Sequence, residues 1–215
     1  MFRSMLVLAA TSVLLAAPAF AQDRFEVSGF YGWTFVDGSG FRPPPSAGAS
    51  YARADARDST SFGFTVGVIS DVGIGLEFLW DRQATTLDVT GTGPTRSGRL
   101  NIDNYHLNVV YEFGPRENPA HLFVLGGFGA TRYGEVALPA GIAPGSTRFS
   151  WAFGGGVKAY PSRRVGFKAM LRFVPTYIDR LETGLRCDLT PNCWANSGAA
   201  NSIQIEFSGG VVVRF

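Results

Sequence analysis

From Ile203 to Phe215 the chain alternates almost without a fault. Ile203, Ile205, Phe207, Gly209, Val211, Val213 and Phe215 fall on one face of an extended chain, and Ser202, Gln204, Glu206, Ser208, Gly210, Val212 and Arg214 on the other. A period of two with one oily and one polar face is the mark of a β-strand. Seven further segments repeat it, at roughly 25–36, 59–69, 72–88, 99–114, 121–134, 147–160 and 164–177, so eight strands are expected with that at 202–215. Their connections alternate in length. Ser70-Asp71, Pro115 to Pro119 and Pro161 to Arg163 are brief turns after the second, fourth and sixth segments. The first, third, fifth and seventh are followed by long stretches rich in Gly, Pro, Ser, Thr and Asn, such as Asp37 to Asp58 and Asp179 to Asn201. An even strand count lets the first strand meet the last and removes the sheet edge. The predicted fold class is all-β: an eight-stranded antiparallel up-and-down barrel.

Alternation alone does not say which face points inward, because a soluble lipocalin-like barrel would hold its apolar face inside. The residues on the two faces decide it. Val165, Phe167, Ala169, Leu171 and Phe173 oppose Gly166, Lys168, Met170 and Arg172; Phe149, Trp151, Phe153 and Val157 oppose Ser150, Gly154, Gly156 and Lys158. Likewise Tyr105, Leu107, Val109, Tyr111 and Phe113 oppose Asn104, His106, Asn108 and Glu112, and Ile74, Leu76, Phe78 and Trp80 oppose Gly75, Glu77, Leu79 and Asp81. The apolar face is bulky and aromatic, whereas the polar face is small and carries charges of both signs. A narrow interior needs small residues and paired charges, and a lipid-facing exterior needs bulk. The barrel is therefore expected to span a membrane. Trp33, Phe35, Trp80, Tyr105, Trp151 and Tyr177 then fall toward the loop side, and Phe25, Tyr111, Phe113, Tyr160, Phe167 and Phe215 toward the turn side, as two interfacial aromatic bands require.

The first 21 residues change the picture further. Arg3, the apolar run Met5 to Ala17 and the ending Ala19-Phe20-Ala21 read as a secretory signal peptide cleaved before Gln22, leaving one domain over 22–215. No segment approaches the ~20 apolar residues of a spanning helix, which excludes a helical membrane protein. Composition agrees with an all-β chain, with 27 Gly and 13% aromatic residues. A net charge of +2 is too small to argue for nucleic acid, although the basic residues are almost all Arg, the better partner for phosphate and carboxylate.

With signal peptide, strand number, turn and loop asymmetry and the terminal segment Gly209-Gly210-Val211-Val212-Val213-Arg214-Phe215 in view, the chain resembles the small eight-stranded outer-membrane barrels of the OmpA transmembrane-domain and OmpX type. The resemblance implies residence in a Gram-negative outer membrane. It also implies insertion by the outer-membrane assembly machinery, with Val211, Val213 and Phe215 as the assembly signal. No peptidoglycan-binding domain follows the barrel pattern, so a cell-wall anchoring role is not carried over.

Candidate chemistry is sparse. Glu26, Glu77, Asp81, Glu112, Lys158, Lys168, Arg172, Glu206 and Arg214 are expected in the lumen, either as a salt-bridge network or as an ion pathway. Cys187 and Cys193 sit in the last long loop of an exported chain, where a disulfide is expected; a metal would need further Cys or His nearby. Some small barrels of this membrane are lipid A-modifying enzymes that need a His and a Ser at the rim. His106 is expected to point inward beside Asn104 and Asn108, and His121 lies at the turn side, so neither suggests such a pair. Arg42, Arg53, Arg57, Arg96, Arg99, Arg148, Arg180 and Arg186 lie in or near the loops, suited to lipopolysaccharide phosphates or an acidic partner, or to plain solvation. The expectation is a monomeric, non-enzymatic barrel without cofactor or metal, in contact with outer-membrane lipid and lipopolysaccharide and serving membrane integrity or surface interaction. A small porin-like channel and a lipid A-modifying enzyme stand as alternatives.

Overall fold

A computed structural model of the chain describes residues 24–37, 51–91, 95–115, 118–138, 141–143, 145–177 and 201–215. The expected signal peptide, Cys187, Cys193, Arg42, Arg180 and Arg186 lie outside the described residues, as do the side chains of Arg53 and Arg96. The described strands are β1 (Arg24–Asp37), β2 (Tyr51–Ala56), β3 (Ser59–Ile69), β4 (Ile74–Gly91), β5 (Arg96–Phe113), β6 (Ala120–Tyr133), β7 (Val136–Leu138), β8 (Gly141–Ala143), β9 (Ser146–Ala159), β10 (Val165–Tyr177) and β11 (Asn201–Arg214). Among the described residues no helix is long and apolar enough to cross a membrane.

Eight strands form a closed antiparallel barrel in the order β4-β3-β1-β11-β10-β9-β6-β5, with β5 returning to β4. Closure joins the two ends of the chain: β1 pairs with β11 from Glu26↔Arg214 to Asp37↔Ile203. The stagger follows from the register. Starting at Glu112 on β5, the paired positions run through Phe123, Gly156, Met170, Ser208, Gly32, Ser61 and Gln83 and return to β5 at Ile102, ten residues away (112 − 102). Such a stagger makes the strands tilt against the barrel axis, by roughly 35–45°.

The alternation of the sequence becomes the two faces of the wall. Phe64, Phe78, Leu107, Val109, Phe153, Phe167, Leu171 and Phe207 are exposed on the outside, while their neighbours Thr65, Glu77, His106, Asn108, Lys168, Met170, Arg172 and Ser208 are buried inside. Tyr160 departs from the expected turn-side aromatic band: it is buried and its hydroxyl bonds to Glu26. Parity is the reason, because Tyr160 lies two residues past the inward Lys158 and keeps its side.

The connections also differ from expectation. The third is no long loop, because β4 and β5 pair as far as Val89↔Arg96 and leave only positions 92–95 between them. Within the first connection β2 pairs with the far end of β4, and within the fifth β7 and β8 form a small hairpin. Polarity marks exposure rather than backbone conformation, and the Thr and Val of Thr85 to Thr90 favour an extended chain beyond the hydrophobic band.

Several glycines are dictated by close backbone approach. A Cβ at Gly129 would collide with the Tyr105 carbonyl oxygen, whereas one at the outward Gly209 would meet nothing within 4 Å. We therefore expect Gly129→Val to abolish the compact, heat-modifiable band on an unheated gel and Gly209→Ala to preserve it.

Candidate functional site

The inner wall carries the candidate chemistry. Once the ten-residue stagger is distributed around the barrel, the inward side chains fall into three tiers along its axis. The turn-side tier is built from strand ends. Lys158 near the end of β9 donates to Glu26 Oε2 at 2.6 Å and to Glu112 Oε1 at 2.7 Å. Arg24 reaches Glu112 at 3.1 Å, and Arg214 reaches Glu26 at 3.2 Å while its guanidinium lies 3.5 Å from the centre of the Tyr160 ring. Above it, Lys168 donates to Glu77 at 2.6 Å. Both lysines lie over the Phe123 ring, at 5.5 and 5.3 Å, a cation–π arrangement that partly replaces lost water.

Toward the middle, Phe30, Leu79, Val110, Phe123, Leu125 and Met170 form one buried apolar cluster, which shares that depth with the buried polar side chains of Thr65, Asn108 and Ser208. Beyond it, on the loop side, Arg172 bridges Asp81 and Glu206, the latter at 2.8 Å. Asn104 donates to Asp81 at 3.0 Å and to Gln204 at 3.1 Å, and itself accepts from Thr131 at 2.7 Å. Charges taken out of water must be paired and hydrogen-bonded or they cost several kcal/mol each. In these pairs Glu26, Glu77, Asp81, Glu112 and Glu206 meet Lys158, Lys168, Arg172, Arg24 and Arg214.

Of the nine ionisable residues expected in the lumen, eight are buried there and Arg214 sits at its turn-side rim, 15% exposed. Arg24, Tyr160, Asn104 and Gln204 complete the network and were missed as members. Inward parity marks all four, since Arg24, Tyr160 and Gln204 each lie two residues from an expected lumen position and Asn104 was itself expected to face inward beside His106. The apolar tier carried only a faint signal, with Leu79 and Met170 standing among polar neighbours.

His106 does acquire a serine partner, its Nε2 lying 2.9 Å from Ser150 Oγ. Sequence reading missed the pair because the residues are on β5 and β9, with β6 between them. Both are fully buried and Nδ1 has no carboxylate partner, so the base lacks an orienting acid and the hydroxyl lacks an open face. His121 is buried at the turn side against Tyr160. Among the described residues no group of three or more His, Cys, Asp and Glu could hold a metal. Val211 and Phe215 are exposed on the outside; Phe215 N–H donates to the Phe25 carbonyl at 2.9 Å, with the two rings 5.9 Å apart. Of the loop-side arginines, Arg57 pairs with Asp88, which also accepts from Ser97, and Arg99 is exposed.

A closed barrel with an aromatic-rich exterior and an ion-paired interior defines a membrane-spanning β-barrel. Residues 6–215 match the family model of the outer membrane protein beta-barrel domain, and the chain belongs to that family. Its location is accordingly the outer membrane. The fold is similar to that of the outer membrane protein OprG from Pseudomonas aeruginosa, with a TM-score of 0.66 at 12% identity, covering 89% of this chain and 95% of that one. It is similar also to Neisserial surface protein A, with a TM-score of 0.54 at 13% identity over 91% and 98% of the two chains. A third is Ail of Yersinia pestis, with a TM-score of 0.53 at 13% identity over 90% and 99%. No curated protein matches the chain by sequence.

The bridge at Arg172 makes a sharp prediction. Arg172→Met leaves Asp81 and Glu206 buried without their counter-charge and is expected to destabilise the barrel by about 3–5 kcal/mol, read from urea unfolding in bilayers. Neutralising both acids in the same chain, Asp81→Asn with Glu206→Gln, is expected to recover most of that loss.

Proposed function

We propose that this protein is a non-enzymatic outer-membrane barrel whose lumen is closed by its own side chains, and which serves membrane integrity or surface interaction through its loop end. The reading has it exported by residues 1–21, folded as a single domain over 22–215 and inserted as a monomer by the assembly machinery. Cys187 and Cys193 are read as oxidised on the way. The observation that carries the closed lumen is the buried apolar cluster in which Phe30, Leu79 and Met170 lie between the two ion-paired networks. A hydrated ion would have to part those side chains and leave its own water, and an apolar constriction resists wetting. Catalysis is disfavoured because the His106 and Ser150 side chains are both fully buried in the wall's interior.

A small channel is the second reading. It is favoured by Gly127, Gly129, Gly154 and Gly156, which leave a patch of the inner wall on β6 and β9 without side chains.

Planar-bilayer recording of refolded, heat-modifiable protein separates the two. The native barrel is expected to be electrically silent, and Phe30→Ala combined with Met170→Ala to open it. Steady native openings that vanish when Arg172 or Glu206 is neutralised would establish the channel instead. The assembly reading has its own test: Phe215→Ala is expected to slow insertion by the reconstituted assembly machinery several-fold while leaving spontaneous folding in detergent unchanged.

A further inference from the structure

The outer face of β4, β5 and β6 breaks the apolar exterior. One outward row runs Phe64, Trp80, Tyr105, Ala130 and Phe149 across β3, β4, β5, β6 and β9. The next row toward the loops runs Phe62, Arg82, Asp103, Arg132 and Thr147 across the same strands. The stagger of ten residues over eight strands, about 1.25 per strand, sets Arg82 at the depth of Trp33 on β1 and Trp151 on β9. Phe35 and Phe149 reach higher still and remain exposed to lipid. Arg82 therefore lies inside the aromatic band, and the row climbs from it, so that Arg132 stands about 2.5 residues nearer the loop end, at the band's outer edge.

Arg82 is fixed in place. Its Nε donates to Asp103 Oδ1 at 2.6 Å and its Nη2 to Oδ2 at 3.1 Å, and its guanidinium lies 5.8 Å from the centre of the Trp80 ring. The Asp103 side chain is only 6% exposed and that of Arg82 42%, so the carboxylate is covered and the remaining guanidinium N–H groups face outward. On the far side of Asp103, Arg132 points outward, is exposed and makes no ion pair among the described residues. Two cations against one anion leave the row with a surplus positive charge. Strands stand about 4.8 Å apart, so the two arginines rise roughly 10 Å apart, within reach of one anion between them.

Charge on the lipid face is costly at the bilayer centre and falls to about 0–1 kcal/mol at the interface, where a headgroup anion can meet it. Arginine forks suit phosphate in particular. We infer that Arg82 and Arg132 form a docking site for a phosphate of the outer-leaflet glycolipid lipid A, with Asp103 holding Arg82 in position. The assignment rests on the outer-membrane reading with the loop end outward. It moves the lipopolysaccharide contact from the loop arginines to the wall.

The test uses the full barrel refolded in phosphatidylcholine vesicles, alone or doped with lipid A, dephosphorylated lipid A or phosphatidylglycerol, with the urea midpoint as readout. Lipid A is expected to raise the midpoint of the native protein and dephosphorylated lipid A to leave it unchanged. Arg82→Gln with Arg132→Gln should fold equally in phosphatidylcholine and need about tenfold more lipid A for the same shift, as befits lost charge-assisted bonds. Arg57→Gln with Arg99→Gln should respond as the native protein does. An unaltered lipid A response in the Arg82 and Arg132 variant, or equal shifts from dephosphorylated lipid A or phosphatidylglycerol, would overturn the site. Failure of the native chain to insert into any vesicle would instead overturn the membrane reading beneath it.

Discussion

In hydrocarbon every backbone N–H and C=O must find its partner within the protein, and the pairing of β1 with β11 supplies the last unmatched set. Everything else hangs on that closure. It fixes a ten-residue stagger, the stagger fixes which inward side chains share a tier, and the tiers fix which charges meet. An open eight-stranded sheet with the same alternation would expose two strand edges to lipid and would scatter the lumen charges.

The interior meets two demands that pull in opposite directions. Its width is small enough that several inward positions must be glycine, yet its charges must stay hydrogen-bonded away from water. The chain reconciles them by placing long, flexible cations opposite short-range acids. Lys158 spans two carboxylates, Arg172 spans two more, and Phe123 beneath the lysines fills space without adding a polar atom. The apolar cluster between the ionic networks keeps each of them local, and it is the feature that weighs most against a continuous aqueous path.

Outside, the wall is uniform enough that its exceptions carry meaning. Most outward positions between the aromatic bands are aliphatic, aromatic or small. Among the described residues the Arg82, Asp103 and Arg132 row breaks it, toward the loop end of the wall. A barrel with a closed lumen can still act on its membrane through such a surface, by holding lipid at a defined place on its perimeter.

How much of this was legible along the chain depends on the range of the interaction. A period of two is local, so each strand declared its own faces; the eight strands, their antiparallel closure and the inward side of Glu26, Lys168 or Glu206 could be read directly. Even Tyr160 and Arg24 were within reach, since parity counted from Lys158 and Glu26 puts them inside. The projecting β4–β5 hairpin was not, because the pattern inverts once the strands leave the hydrophobic band: Leu87, Leu100 and Ile102 are buried on the inner face and the outward positions turn polar. Pairing is a different matter. Lys158 meets Glu26 across 132 residues and Arg172 meets Asp81 across 91, and nothing near either residue encodes the partner. The sequence by itself determined a membrane barrel with a polar interior, because burial patterns are written residue by residue. Only the tertiary structure decided who pairs with whom, where the apolar tier lies and which arginines face lipid. Those depend on the stagger, which exists only once the sheet has closed upon itself.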